Sequence, residues 1–277
     1  MFVPFSKRKL ETLELVEEHN GELLWIILNR PTFLNSLSPT LTMELHSLLD
    51  ELNNTTPESR KVRCIILAGN GRGFCAGLDF VAYSKPRPGP VDSLLGQQNF
   101  SNLVLKLRRI PQAVISCNQG PTVGGGLGMT LAADVRIGTP SSRFSVGASR
   151  LGLTGGECGI SFHLPQIVGR GLASEMILTG CFVDAERASK FGLVNHVVPE
   201  DKLRETARNM AFEMLSLSPN GLRLSKMELN NWADGMSLSA AIAAEDVYQM
   251  YLSATPESSA VSRKFMEKIL GSKAAKI

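Results

Sequence analysis

A chain of 277 residues is long enough to bury a full core, as one domain or as a domain with a helical appendage. Its 29 Lys and Arg against 26 Asp and Glu leave a net charge of +3, too small and too dispersed to argue for a nucleic-acid partner, and Lys7-Arg8-Lys9, the one tight basic cluster, reads as a solvated terminus. The five cysteines, Cys64, Cys75, Cys117, Cys158 and Cys181, are odd in number and have no C-x-x-C spacing, which argues for a reducing compartment and against zinc.

Met1 to Leu10 has no apolar signal-like run, and no stretch reaches transmembrane length, so neither secretion nor a membrane span is expected. Thr12 to Glu17 and Glu22 to Asn29 read as strands joined near Asn20-Gly21, a hairpin signal. Thr40 to Leu52 has helical spacing. Strand, glycine loop and helix then repeat: a strand ends at Ala68, another ends at Cys117 and leads to a helix from Gly125 to Ala133, and Val135 to Gly138 is a short strand. Such alternation is an α/β pattern. Between the first two strands, Ser84-Lys85-Pro86-Arg87-Pro88-Gly89-Pro90 reads as a loop, because its prolines fix φ and remove donors; a lid on a pocket and an interdomain linker are both compatible with it. From Asp184 the pattern turns helical, with Asp184 capping Ala185-Glu186-Arg187-Ala188, Pro199 opening a helix through Leu217, and Ser218-Pro219 starting the next. Ala240, Ala244, Val247, Tyr248 and Tyr251 then form one apolar face, suited to an oligomer contact or to a core.

Two glycine-bearing loops each follow an apolar strand-like run: Phe74-Cys75-Ala76-Gly77-Leu78-Asp79 after Cys64 to Ala68, and Val123-Gly124-Gly125-Gly126-Leu127-Gly128 after Ala113 to Cys117. Glycine leaves backbone N–H groups uncovered, so two such loops together can aim two donors at one oxygen, which is an oxyanion hole. Either loop alone also fits an ordinary strand-to-helix turn.

In this order, and with further matches nearly end to end, the loops resemble the crotonase (enoyl-CoA hydratase/isomerase) superfamily. The supporting segments are Leu28-Asn29-Arg30-Pro31 with Asn35-Ser36-Leu37, Ala132-Ala133-Asp134-Val135-Arg136, Leu164-Pro165 with Val168-Gly169, Leu178-Thr179-Gly180, Ala188 with Gly192-Leu193-Val194, and Phe265-Met266-Glu267-Lys268. The resemblance implies an α/β fold, a crotonase-like spiral of ββα units over 1–196, with a C-terminal helical region over 197–277 that makes oligomer contacts and covers the CoA site. It implies an acyl-CoA substrate, with coenzyme A entering as part of the substrate and no covalently bound cofactor, and a homotrimer or dimer of trimers. The thioester carbonyl is then expected between the N–H groups of Leu78 and Gly125, with Ala76, Gly77, Asp79, Gly124 and Gly126 forming the binding turns.

Where hydratases of this family carry their two glutamates, this chain has Gly128 and Ala148, which cannot exchange protons. Glu157, counted back from Leu164-Pro165, falls where dienoyl-CoA isomerases and CoA-dependent aromatic dehalogenases of the family carry a functional aspartate; counted forward from Gly152 it is one residue late. Thr154-Gly155-Gly156-Glu157 equally fits a helix capping box. Cys75 lies in the first loop but needs a base to act as a nucleophile, and His163 reads as a helix-surface or core residue. The expected function is stabilisation of a thioester enolate, with Glu157 as acid/base, in fatty-acid or related acyl-CoA metabolism. Hydration, double-bond isomerisation, and thioester hydrolysis or dehalogenation remain open as reactions. The alternative of another class is an acyl-CoA-binding protein without turnover, against which the retained pair of loops argues. Ala275-Lys276-Ile277 resembles a peroxisomal address, so a cytosolic or peroxisomal location is expected, although a frayed basic tail has the same composition.

Overall fold

The computed structural model describes residues 4–54, 57–83, 89–256, 258–259, 262–263 and 266–267. The Ser84 to Pro88 part of the proline-rich segment, Phe265 and Lys268, and the Ala275-Lys276-Ile277 tripeptide lie outside the described residues. Two compact units divide the chain, Met1–Phe212 and Glu213–Ile277.

In the first unit β1 (Leu13–Glu18) and β2 (Leu23–Leu28) pair antiparallel, Leu13 opposite Leu28 and Glu18 opposite Leu23. The turn between them holds Asn20 at φ 56, a left-handed conformation that Asn tolerates better than most residues. The helix α1 (Pro39–Asn53) starts where Ser38 accepts a hydrogen bond from the Leu41 N–H and Pro39 takes the first helical position. Next come α2 (Pro57–Lys61), β3 (Cys64–Gly69) and α3 (Pro90–Arg109). Pro90, expected in a loop, opens α3: its missing N–H costs nothing at a helix start.

The strands β4 (Ala113–Asn118) and β5 (Pro121–Val123) lead into α4 (Gly125–Ala132), then β6 (Val135–Gly138) and β7 (Arg143–Ser145). They are followed by α5 (Ile160–Thr179), β8 (Val183–Asp184), α6 (Ala185–Lys190), β9 (His196–Val197) and α7 (Leu203–Leu215). One six-stranded sheet runs β1-β2-β3-β4-β6-β9, parallel from β2 onward, and a three-stranded sheet runs β5-β7-β8. From β4 onward the chain feeds the sheets in pairs of strands, β4 then β5, β6 then β7, and β8 then β9, one of each pair to each sheet. β2, β3 and β4 are buried at every residue, and β2 and β3 are continuous apolar runs, as expected of strands covered on both faces; β4 adds Ser116 and Asn118, both buried, with Asn118 Nδ2 donating to Ser116 Oγ (3.0 Å). Leu41, Leu45 and Leu49 of α1 and Leu103, Val104 and Leu107 of α3 join Ile26, Ile65 and Leu67 in one core. A second core gathers Leu127 and Leu131 of α4 with Phe144, Leu164, Met176 and Val183.

Glu213–Ile277 contains α8 (Pro219–Ala233), capped by Ser218, and α9 (Leu238–Ser253), capped by Ser237. Leu238, Val247, Met250 and Tyr251 of α9 are exposed. No helix of the described residues is long and apolar enough to cross a membrane.

Candidate active site

The first loop is held by backbone pairing. The Asn35 side chain accepts from the Arg30 N–H (2.8 Å) and donates to the carbonyls of Asn70 (2.9 Å) and Gly73 (2.8 Å), tying the β3 exit to the segment before α1. Ala76 N–H then donates to Leu34 (3.0 Å). Leu37 bridges Leu78 as in a parallel ladder: Leu37 N–H donates to Gly77 O (2.7 Å) and Asp79 N–H to Leu37 O (3.2 Å). In such a bridge the N–H of the middle residue points away from the partner, so pairing on both sides of Leu78 turns its N–H outward.

The second loop is locked to the first. Cys75 N–H donates to Pro121 O (3.2 Å), and Val123 N–H to Cys75 O (2.9 Å). Gly77 has φ +89, and a Cβ there would stand 2.9 Å from Val123 O, so the close approach of the loops requires glycine. Gly124, at φ +53, caps α4 and donates its N–H to Ser145 O (3.1 Å). Gly125 is the first residue of α4, where a helix has N–H groups without intrahelical acceptors and the positive end of its dipole. Among the described residues neither Leu78 nor Gly125 donates its N–H within the chain.

Both residues line one cavity of about 270 Å³. Its walls are apolar: Leu37, Phe80, Phe100, Val123, Val146, Leu151 and Leu153 contribute most of the side chains. Glu157 is the only ionisable side chain besides the Cys158 thiol among the lining residues. A Cβ on Gly124 would lie 3.1 Å from Glu157 Oε1, which places the carboxyl over the start of α4. It makes no hydrogen bond or ion pair among the described residues, and burial pushes its pKa above the usual carboxylate value.

The capping-box alternative is not what forms. The helix α5 begins at Ile160 with Gly159 as its cap, well past Thr154, whose hydroxyl instead accepts from the Gly156 N–H (3.2 Å). Glu157 contributes only its carbonyl to that turn, accepting from Ile160 N–H (2.8 Å).

Gly128 and Ala148 are both buried, Ala148 in the cavity wall and Gly128 inside α4. Ala76, Gly77 and Gly124 line the cavity, but Asp79 and Gly126 do not. The Asp79 carboxylate is engaged elsewhere, accepting from Arg30 Nη2 (2.7 Å) and the Ala82 N–H (2.9 Å). Burial raises its pKa, and these two donors outweigh burial, so the group sits below its ordinary value. Gly126 is a packing position, since a Cβ there would be 2.4 Å from Cys75 O. The Cys75 thiol is pushed up to about 12 by burial, which leaves it protonated and unsuited to attack. His163 does not line the cavity. No cluster of three His, Cys, Asp or Glu side chains able to hold a metal occurs among the described residues.

The model of the enoyl-CoA hydratase/isomerase family matches residues 18–271. The chain belongs to that family. A curated relative in Mycobacterium tuberculosis (strain ATCC 25618 / H37Rv), "Probable enoyl-CoA hydratase EchA12", is 34% identical over 88% of this chain and 86% of its own length. The mitochondrial Delta(3,5)-Delta(2,4)-dienoyl-CoA isomerase of Dictyostelium discoideum is 31% identical over 76% of this chain and 73% of its own. Among solved structures, enoyl-CoA hydratase from Bacillus anthracis superposes with a TM-score of 0.86 at 28% identity, covering 93% of this chain and 97% of that one. The architecture above is therefore the crotonase-type spiral of ββα units with a helical C-terminal region.

Proposed function

We propose that this enzyme of the hydratase/isomerase family moves a double bond within the acyl group of an acyl-CoA thioester. The observation that carries the reading is one carboxyl, Glu157, without a hydrogen-bond or ion-pair partner among the described residues, set over the Gly124-Gly125 turn in a cavity lined mostly by apolar side chains. Glu157 takes a proton from the carbon next to the thioester carbonyl, and the electron pair moves to the carbonyl oxygen, held by the N–H groups of Leu78 and Gly125. When the carbonyl re-forms, the double bond shifts by one position and the proton is returned to the far carbon of the allyl system. Substrate and product are isomers, so one carboxylate suffices. Hydration would require a second proton-exchanging group, and Gly128 and Ala148 supply none.

In this reading Ala76, Gly77 and Gly124 border the thioester, while Asp79 and Gly126 shape the turns around it. Coenzyme A is present as part of the substrate. The exposed apolar residues of α9 support self-association, with a homotrimer or dimer of trimers as the assembly implied by the family, and 1–196 and 197–277 as the catalytic and the oligomer-forming and CoA-covering regions. The location is cytosolic or peroxisomal, and a reporter fusion with and without Ala275-Lys276-Ile277 would decide between the two.

Product analysis tests the reaction. Incubation with 3-enoyl-CoA should give 2-enoyl-CoA of the same mass. Accumulation of 3-hydroxyacyl-CoA as the first product, a mass gain of one water, would overturn the reading in favour of hydration; binding of every acyl-CoA without turnover would overturn it in favour of a binding protein.

A further inference from the structure

Cys158 has φ +48, a left-handed conformation that residues with a side chain adopt rarely. That conformation accompanies an inward-facing placement: Cys158 is only 4% exposed and lines the cavity beside Glu157. It is seated on α4 at Gly128. A Cβ at Gly128 would stand 2.9 Å from both the Cβ and the carbonyl oxygen of Cys158, and 3.2 Å from Val104 Cγ2 of α3. Glu157, the preceding residue, reaches α4 four positions earlier, at Gly124, which lies on the same side of a helix as Gly128. Two consecutive residues of one strained turn therefore rest on two glycines one helical turn apart.

We propose that Cys158 is a positioning residue, a wedge seated on Gly128 that fixes the Glu157 carboxyl over the first turn of α4 and excludes water from its flank. The proposal rests on the assignment of Glu157 as the acid/base. It also gives Gly128 a role: the glycine that cannot exchange protons is the seat that lets the next-best carboxylate come into place. Cys158 acts by volume and not by charge, since burial, with the Glu157 charge adding to it, pushes the thiol up to about 12. The other groups packed around this turn do not compete for the carboxyl. From α3, Gln97 Nε2 lies 4.0 Å from Cys158 Sγ and is uncharged. From α5, the His163 ring lies against Gly159. Arg150, in the segment after β7, packs on Gly180.

The test compares Cys158→Gly, Cys158→Ala, Cys158→Ser, Gly128→Ala and the double variant Gly128→Ala/Cys158→Gly with Glu157→Gln, reading kcat, KM and the pH profile of double-bond migration. Loosening a reacting group by about 1 Å costs about 10²-fold, so Cys158→Gly should lose about 10²-fold in kcat with little change in KM. Its acidic limb should move to lower pH, because water reaching the carboxyl relieves the burial that raises its pKa. Cys158→Ala should fall between, and Cys158→Ser, close to native volume, should recover most of kcat. Gly128→Ala should lower kcat by displacing the turn, and the double variant should lose less than the sum of the singles, since removing the Cys158 Cβ relieves one of the two 2.9 Å approaches, the Cys158 carbonyl oxygen being the other. A native kcat and acidic limb in Cys158→Gly, or strictly additive losses, would overturn the proposal. If Cys158→Gly does not fold, the order of Ser and Ala variants decides. Turnover retained in Glu157→Gln would instead remove the assignment beneath it, and that result is read in a separate variant.

Discussion

The two halves of the site are built in different ways. The proposed oxyanion half is part of the backbone framework: the bonds around Leu37, Leu78, Cys75, Pro121 and Val123 are all backbone to backbone, and the Cys75–Thr122 bridge adds the first loop to the edge of β5. The half that carries Glu157 is a turn between β7 and α5, held by the local bonds Leu153 N–H to Ala148 O, Gly156 N–H to Thr154 Oγ1 and Ile160 N–H to Glu157 O and tied to α5 through a side chain, with Ser149 Oγ donating to Ile177 O. In the proposed reaction the groups that polarise the thioester are therefore set by the fold, whereas the proposed proton-transferring group, Glu157, is carried on a turn between two elements. Chemistry can change on such a scaffold while binding stays.

The sharpest way to break this contrast is Glu157→Gln, which keeps size but cannot take up a proton. Turnover should fall on the order of 10²–10⁴-fold, with acyl-CoA affinity nearly intact by calorimetry. The same variant should melt at a higher temperature at neutral pH. Burial raises the folded-state pKa of Glu157, so its contribution to stability is full below the unfolded value near 4.5 and is lost as pH rises through the folded value; the neutral amide avoids that loss. An unchanged or lower melting point at pH 7, alongside native turnover, would place Glu157 with ordinary surface carboxylates.

Gly125→Pro probes the other half. Proline is well tolerated at the first position of a helix, and a Cβ at Gly125 would meet only the end of the Leu37 side chain, so the fold should survive while the N–H disappears. The expected loss is about 10²–10³-fold in rate for one oxyanion donor. A folded variant with near-native turnover, judged by circular dichroism and progress curves, would put the carbonyl elsewhere.

Smaller effects belong to the supports. Asp79→Asn leaves the Arg30 guanidinium without its carboxylate in a site where both are largely buried, and should cost about 3–5 kcal/mol in urea unfolding. Because Asp79 is held below 3.8 in the folded protein, the native pair's contribution is present above pH 3.8 and is lost as pH falls through the lower folded value. Smallest is the pair Thr154→Ala and Ser38→Ala. Removing the Ser38 cap should cost about 1 kcal/mol, and Thr154→Ala, which caps no helix, within about 0.5 kcal/mol. Equal losses would revive the capping box.

Much of the framework was legible because its strands are buried on both faces, giving apolar runs such as Cys64 to Ala68 and Ala113 to Cys117, and because glycines mark the loops between strands and helices. The start of α3 was not, since Pro90 closes a proline-rich stretch and also begins a helix, and local composition weighs only the first. The acid/base question was undecidable from spacing, because Thr154 to Glu157 satisfies a capping box that only the location of the α5 start at Ile160 excludes. The apolar walls Phe80, Val146, Leu151 and Leu153 gave no periodic signal, as they come from turns whose side chains converge only in space. Asp79 was placed near the substrate by motif alone, and the partner that engages it, Arg30, lies far away in sequence.

One consequence follows from the bridge between Leu37 and Leu78. Both donors of the proposed oxyanion hole belong to the main chain, so replacing Leu78 or Leu37 by alanine leaves the Leu78 N–H in place and aimed as before. An alanine scan would pass over the group that does most for the thioester and score only the side chains around it. Sequence drift at position 78 is similarly free of chemical penalty, as long as the residue is not proline and fits between Leu37 and the cavity. What evolution must retain is the geometry of the ladder and the glycine at position 77, and the mutational fingerprint of the site is a pattern of missing Cβ atoms.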